Sequence, residues 1–169
     1  MKWITAAAVC GVASLALLAG TAHGKGSVYL PAPSYPNSTL AIKVAGKPRA
    51  GGVARVVVSG SNAPFNVNGV PSGVGYQLDA FAQDGKVLPQ CPRSFAAELQ
   101  NEINLGVARI AQGLPEGASG PFDHPIAFRT GPRIRSVVVC AYSRFIDDDA
   151  AVSALRFKLR APRCGCRRH

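Results

Sequence analysis

Short runs in which apolar and polar residues alternate, each cut off by Gly, Pro, Asn or Ser, fill most of this chain. That period of two is the signature of β-strands with one face buried, and it leaves few architectures open. "TLAIKV" puts Leu40, Ile42 and Val44 on one side, and "VARVVVSG" turns Val56 and Val58 inward with Arg55 outward. "VGYQLDAFAQ" sets Val74, Tyr76, Leu78 and Ala80 against Gln77 and Asp79, and "QDGK" closes it as a hairpin-type turn. "PFDHPIAFRT" aligns Phe122, Ile126 and Phe128 with His124. "RIRSVVVCAY" aligns Ile134, Val138, Cys140 and Tyr142, which leaves Arg135, Val137 and Val139 outward. "AVSALRFKLR" brings Leu155, Phe157 and Leu159 inward. One segment breaks the pattern: "SFAAELQNEINLG" spaces Phe95, Leu99 and Ile103 four apart, as in a short amphipathic helix with Ser94 as N-cap and Gly106 as terminator. "VARIAQG" then reads as a weak edge strand. The fold class expected is all-β, a β-sandwich of about seven strands with one short helix after Cys91.

The first residues read as a targeting segment. Lys2 precedes the uncharged run "WITAAAVCGVASLALLAGTA", and Ala22 and Gly24 flank His23 at the spacing a signal peptidase recognises. Residues 1–24 are therefore expected to be a signal peptide, cleaved after Gly24 or Ala22. Uncleaved, the run is long enough to anchor the chain, and it is the expected route of attachment to a membrane. Cys10 follows Val9, where lipoprotein cleavage needs a small residue, so it reads as part of the apolar run. Residues 25–37 form a proline-rich lead, 38–161 the sandwich domain and 162–169 a basic tail with cysteines. The remaining chain of about 145 residues suffices for one hydrophobic core. Lys2 aside, 18 basic residues face 9 acidic ones, a net of +9, and residues 129–169 hold 10 and 3, a net of +7. Cys91, Cys140, Cys164 and Cys166 remain, an even count that in an exported chain favours disulfides over catalysis or zinc.

The stretch "VVVCAY" is similar to the penultimate strand of immunoglobulin-like domains, where a cysteine ties the two sheets together. "CPRSFAAEL" followed by "CAY" resembles small secreted bacterial immunoglobulin-like modules of unassigned role. In these a cysteine before a short helical segment is matched by one in a late strand. The resemblance covers roughly residues 38–161 and implies an immunoglobulin-like β-sandwich. It also implies a disulfide between Cys91 and Cys140, 49 positions apart. Such a bond stabilises by roughly 4 kcal/mol on the loop-entropy model. Two departures argue against an antibody-type domain: Trp3 is the chain's one tryptophan and lies in the expected signal, and Val138 stands where a tyrosine is usual. A catalytic role for Cys140 would need a neighbouring base, and His124 is the one histidine of the expected domain.

Four further features bear on function. In "RCGCRRH", Cys164, Cys166 and His169 offer either a second disulfide or a soft-metal site, although Arg163, Arg167 and Arg168 oppose a cation. Asp147, Asp148 and Asp149 read as a solvated hairpin loop without the ligand spacing of a calcium site. Glu98 and Glu102 fall on the helix and Glu116 on a turn, so no hydrolase set assembles. Arg156, Lys158 and Arg160 alternate with the inward residues of the last strand, and Arg135 adds to that outer face from the preceding strand. Together with Arg163, Arg167 and Arg168 they form a field that attracts anions. The expectation is an exported, non-catalytic binding or structural module at the cell envelope, without a cofactor. Its partner would be an anionic envelope polymer, lipid headgroups or an acidic protein. Nucleic acid is not expected, because the chain is exported and few aromatics interleave those charges. The alternative is an extracytoplasmic metal-binding or thiol-redox protein using the C-terminal Cys-x-Cys.

Overall fold

The computed structural model describes residues 28–31, 38–64, 66–67, 70–71, 75–146 and 148–162. The expected signal peptide, Val74, Asp147, and the tail residues Arg163, Cys164, Cys166, Arg167, Arg168 and His169 lie outside the described residues. In chain order the elements are β1 (Val28–Pro31), β2 (Thr39–Val44), β3 (Val53–Asn62), β4 (Asn66–Val67), β5 (Val70–Pro71), β6 (Tyr76–Asp84), α1 (Phe95–Leu105), β7 (Ala108–Gly117), β8 (Gly120–Arg129), β9 (Ser136–Phe145) and β10 (Asp148–Lys158). A five-stranded sheet has the order β1-β10-β9-β6-β7, and a three-stranded sheet has the order β2-β3-β8. All ladders are antiparallel. The two sheets pack into an all-β sandwich with one short helix after Cys91, as expected. Strand β1 lies within the proline-rich lead, so the folded unit begins before residue 38.

The main core lies between the sheets. The smaller sheet contributes Leu40, Ile42, Val56, Val58 and Ile126, and the larger one Leu78, Ala80, Val139, Ala141, Leu155 and Phe157. The periodicities of β2, β3, β6, β8 and β10 therefore face as expected. Strand β9 corrects the expectation: Val137, Val139 and Ala141 face the core between the sheets, while Val138, Cys140 and Tyr142 face away from it. Every residue from Val137 to Ser143 is buried, since β9 is central in its sheet and covered on both faces. A strand apolar on both faces carries no alternation that tells inside from outside.

The cover on the second face is α1 with the loop before it. Phe95, Leu99, Leu88 and Cys91 pack on Phe81, Val138, Cys140, Tyr142 and Val152 in a separate apolar cluster. Cys91 and Cys140 are disulfide-bonded. The bond pins the helical loop to the outside of the larger sheet and does not tie the two sheets together, which corrects the expectation taken from immunoglobulin-like domains. Gln83 Nε2 donates to the carbonyls of Leu88 and Gln90, and Tyr142 Oη donates to Pro92 O at 3.1 Å, so the loop is held on both sides of the cystine.

The ends of α1 follow the sequence closely. Ser94 Oγ accepts from Ala97 N, and Gly106 closes the helix with a left-handed φ of 66°. Its apolar stripe fails at Ile103, which is 74% exposed, while Glu98 is fully buried. Each four-residue step turns about 40° beyond a full circle, so Ile103 has rotated off the face that Phe95 presents to the sheet. Among the described residues no helix is long and apolar enough to cross a membrane.

Candidate anion-binding platform

One end of the sandwich is closed by four segments: the β2–β3 connection, the turn after β6, the β8–β9 connection and the chain leaving β10. Each carries Lys or Arg beside Gly or Pro: "GKPRAGG", "QDGK", "TGPRIR" and "KLRAPR". Gly and Pro make the reversals, and Gly51 takes a φ of 74° that a side chain would oppose.

Backbone hydrogen bonds knit three of these segments into one unit. Arg160 N donates to Pro48 O and Ala50 N donates to Arg160 O, each at 2.9 Å, which forms a short parallel bridge between Arg49 and Arg160. Gly51 N donates to Gly131 O at 3.1 Å, Thr130 N to Gly52 O at 2.9 Å, and Leu159 N to Arg135 O at 2.9 Å. The buried hydroxyl of Thr130 donates to Arg49 O at 2.9 Å. The turn after β6 joins through Gly85 N, which donates to Ser136 O at 3.0 Å. Arg156 donates from its guanidinium to Gly85 O at 3.1 Å and so acts as a clamp on that turn.

With the backbone satisfied internally, most basic side chains remain in solvent. Lys47, Arg129, Arg133, Arg135, Lys158 and Arg160 are exposed, as is Lys86, and Arg49 is half-buried. Apart from Arg93 and two ion-paired arginines, every cation among the described residues lies in one of these connections or within two residues of a strand end that closes this end. The acid among these segments is Asp84, whose Oδ1 accepts from Lys86 N at 2.9 Å. The ion pairs among the described residues are Arg109–Glu102 and Arg144–Asp79, and neither lies here.

Of the residues singled out in the sequence, Arg135, Arg156, Lys158 and Arg160 meet at this end. Exposure alternates from Arg156 to Arg160 as expected. Arg135 does not join their face: its carbonyl pairs with Leu159, so it stands one step out of phase with Lys158 and Arg160. Lys47, Arg49 and Arg133 were missed because they sit in connections rather than on a strand face, and Arg129 because it stands alone at the end of β8. Their visible signal is a basic residue in each of several Gly/Pro-rich connections, and only the topology shows which connections share an end.

The opposite end holds its charged groups differently. Glu116 is buried on β7, not on a turn as expected. Asn62 Nδ2 donates to its Oε2 at 2.8 Å, and Ser143 Oγ lies 2.7 Å from the same oxygen and 2.9 Å from Asn62 Oδ1. Burial pushes the Glu116 carboxyl up to about 7, against the hydrogen bonds from Ser143 and Asn62, and the Asp79 carboxylate adds to the rise. Ser143 has one proton to give. A protonated Glu116 closes the ring by donating to Ser143, which then donates to Asn62.

Asp149 also departs from the solvated loop expected of it. It is half-buried at the start of β10 and accepts from Phe95 N at 2.9 Å, and burial raises its carboxyl above the usual range. Burial likewise raises that of Glu98. Arg144 donates to Asp79 Oδ2 at 2.9 and 2.7 Å and lies 3.8 Å from the centre of the Phe95 ring. Among the described residues no group of three or more His, Cys, Asp or Glu side chains is placed to hold a metal ion. The Cys164, Cys166 and His169 set lies outside the described residues. No family model matches the chain, and neither the curated proteins nor the solved structures contain a match to it.

Proposed function

We propose that this protein is an exported, non-catalytic binding module of the cell envelope whose basic end holds an anionic partner. The observation that carries this is the convergence of unpaired cations from four separate segments onto one end whose backbone is already hydrogen-bonded. Lys47, Arg133, Lys158 and Arg160 are there held on a rigid support, with Asp84 engaged by the turn after β6. Such a concentration of one sign raises the local potential and draws in anions, with an affinity that falls as salt rises. The apolar N-terminal run supports export, and the Cys91–Cys140 disulfide is of a kind that persists in oxidising compartments. The strand orders β2-β3-β8 and β6-β9-β10 support the immunoglobulin-like kinship, since immunoglobulin sandwiches set the first, second and fifth strands against the third, sixth and seventh.

The test is salt-wash fractionation of producing cells. It compares the wild type with a variant carrying Lys47→Ser, Arg133→Ser, Lys158→Ser and Arg160→Ser, and with a chain ending at Pro162. Wild type should stay with the envelope at low salt and leave it as salt rises, while the fourfold variant is free at every salt. Truncation should weaken retention in proportion to the three arginines it removes. Equal retention of wild type and fourfold variant, with both folded by circular dichroism, would refute the proposal.

A further inference from the structure

We infer that the anionic partner is a lipid surface and that the sandwich stands on it end-on, with its basic end toward the headgroups. This deepens the anion-binding function proposed above and rests on it. Three observations favour lipid over a hydrated polymer or an acidic protein.

The first is where the rest of the chain attaches. Strand β1 runs antiparallel to β10, with Val28 opposite Ala154 and Pro31 opposite Ala151. Strand β10 runs toward the basic end, so β1 runs away from it, and the residues before Val28 join from the basic side. Those residues include the uncharged apolar run after Lys2. Ala154 stands four residues short of the end of β10, about 13 Å along an antiparallel strand. The chain also leaves β10 at this end, and Arg163, Arg167 and Arg168 follow Pro162. The chain therefore enters β1 from the side of the basic end and leaves β10 at it; the apolar segment is attached there until its expected cleavage, and the exported protein keeps the basic one.

The second is apolar exposure among the cations. Val87 is 63% exposed in the turn beside Lys86, and Val53 is 45% exposed where β3 begins, opposite Arg129. Exposed valines next to lysine and arginine suit the boundary between headgroups and acyl chains, where charge is met above and apolar surface below. A hydrated polyanion has no use for them.

The third is the cations themselves. They are carried on separate connections rather than along one groove, which suits a field of many headgroups better than one linear chain. At an anionic leaflet each such residue multiplies affinity about fivefold.

The test uses the protein recovered after export and vesicles of equal parts phosphatidylglycerol and phosphatidylcholine. Trp3, the chain's one tryptophan, leaves with the signal peptide, so Val87→Trp and Ala118→Trp report on the two ends; Ala118 is exposed between β7 and β8. The expected result is a blue shift and quenching by brominated lipid for Val87→Trp and no response for Ala118→Trp. Co-sedimentation should fall about fivefold for each of Arg133→Ser, Lys158→Ser and Arg160→Ser, and vanish with pure phosphatidylcholine or high salt. Equal responses at the two tryptophans, or vesicle binding untouched by these substitutions, would overturn the end-on orientation. Binding to soluble polyphosphate without binding to vesicles would sink the lipid assignment and leave the anion-binding function standing. Binding to neither would sink both.

Discussion

The two ends of the sandwich use their polar groups in opposite ways. At the basic end the backbone makes the structure: Pro48, Ala50, Gly51, Gly52, Thr130, Gly131, Arg135, Leu159 and Arg160 bond to one another through main-chain groups. At the far end side chains make it: Glu116 with Asn62 and Ser143, Asp79 with Arg144, Asp149 with the amide of Phe95. A side chain already bonded inside the protein has little to offer a partner. A side chain on a self-satisfied backbone has all of its charge to offer. On the function proposed above, the basic end is the surface for binding and the far end part of the frame.

Four substitutions test that division, and the largest effect belongs to the side chains most committed to structure. Cys91→Ser removes the bond between the helical loop and β9, and should lower unfolding free energy by roughly 4 kcal/mol in denaturant titration. Adding reductant to the wild type should reproduce the loss. A change below about 1 kcal/mol would mean that α1 stays docked by packing alone.

Glu116→Gln comes next, and its sign follows from linkage. The folded protein holds the Glu116 proton to about 7, against 4.5 for the ordinary carboxyl, so it binds more protons than the unfolded chain between those values. Stability contributed through Glu116 is therefore present below pH 4.5 and is lost as pH rises to about 7. Glutamine cannot titrate. Relative to wild type, the variant should gain about 3 kcal/mol between pH 4 and pH 8, read from paired denaturation curves. Parallel curves for the two proteins would show that the ring with Asn62 and Ser143 does not hold a proton.

Ser94→Ala removes the N-cap of α1 and should cost about 1 kcal/mol. Amide exchange in the first turn of the helix should rise, while exchange at Thr130 and Gly51 stays as it was. Lys158→Ser should be the smallest of the four in stability, within about 0.5 kcal/mol, while envelope retention weakens severalfold. If Lys158→Ser destabilised the fold as Ser94→Ala does, the basic end would be frame as well, and the contrast between the ends would fail.

Much of the fold was legible. Leu40, Ile42, Val56, Val58, Leu78, Leu155 and Phe157 lie where the period of two put them, because each has a polar neighbour in the sequence to contrast with it, even on β6, where Asp79 is buried too. The cap and stop of α1 were legible for a similar reason: Ser94 and Gly106 act on their own neighbours, within reach of local sequence. Less of the candidate site was legible. The basic residues of the last strand stood out because they alternate, while Lys47, Arg49 and Arg133 stood in connections, and Arg129 at the end of β8, whose meeting depends on topology.

By itself, then, the sequence determined what is local: strand periodicity, turn positions, helix caps and the excess of positive charge. The tertiary structure alone decided what depends on residues far apart in the chain. It turned Val139 toward the smaller sheet and Cys140 toward the helix, a choice invisible in a strand buried on both faces. It buried Glu116 by bringing Asn62 and Ser143, 54 and 27 positions away, against its carboxyl. It gathered Arg49, Arg133 and Arg160 at one end, since charge is a property of residues while proximity is a property of the fold.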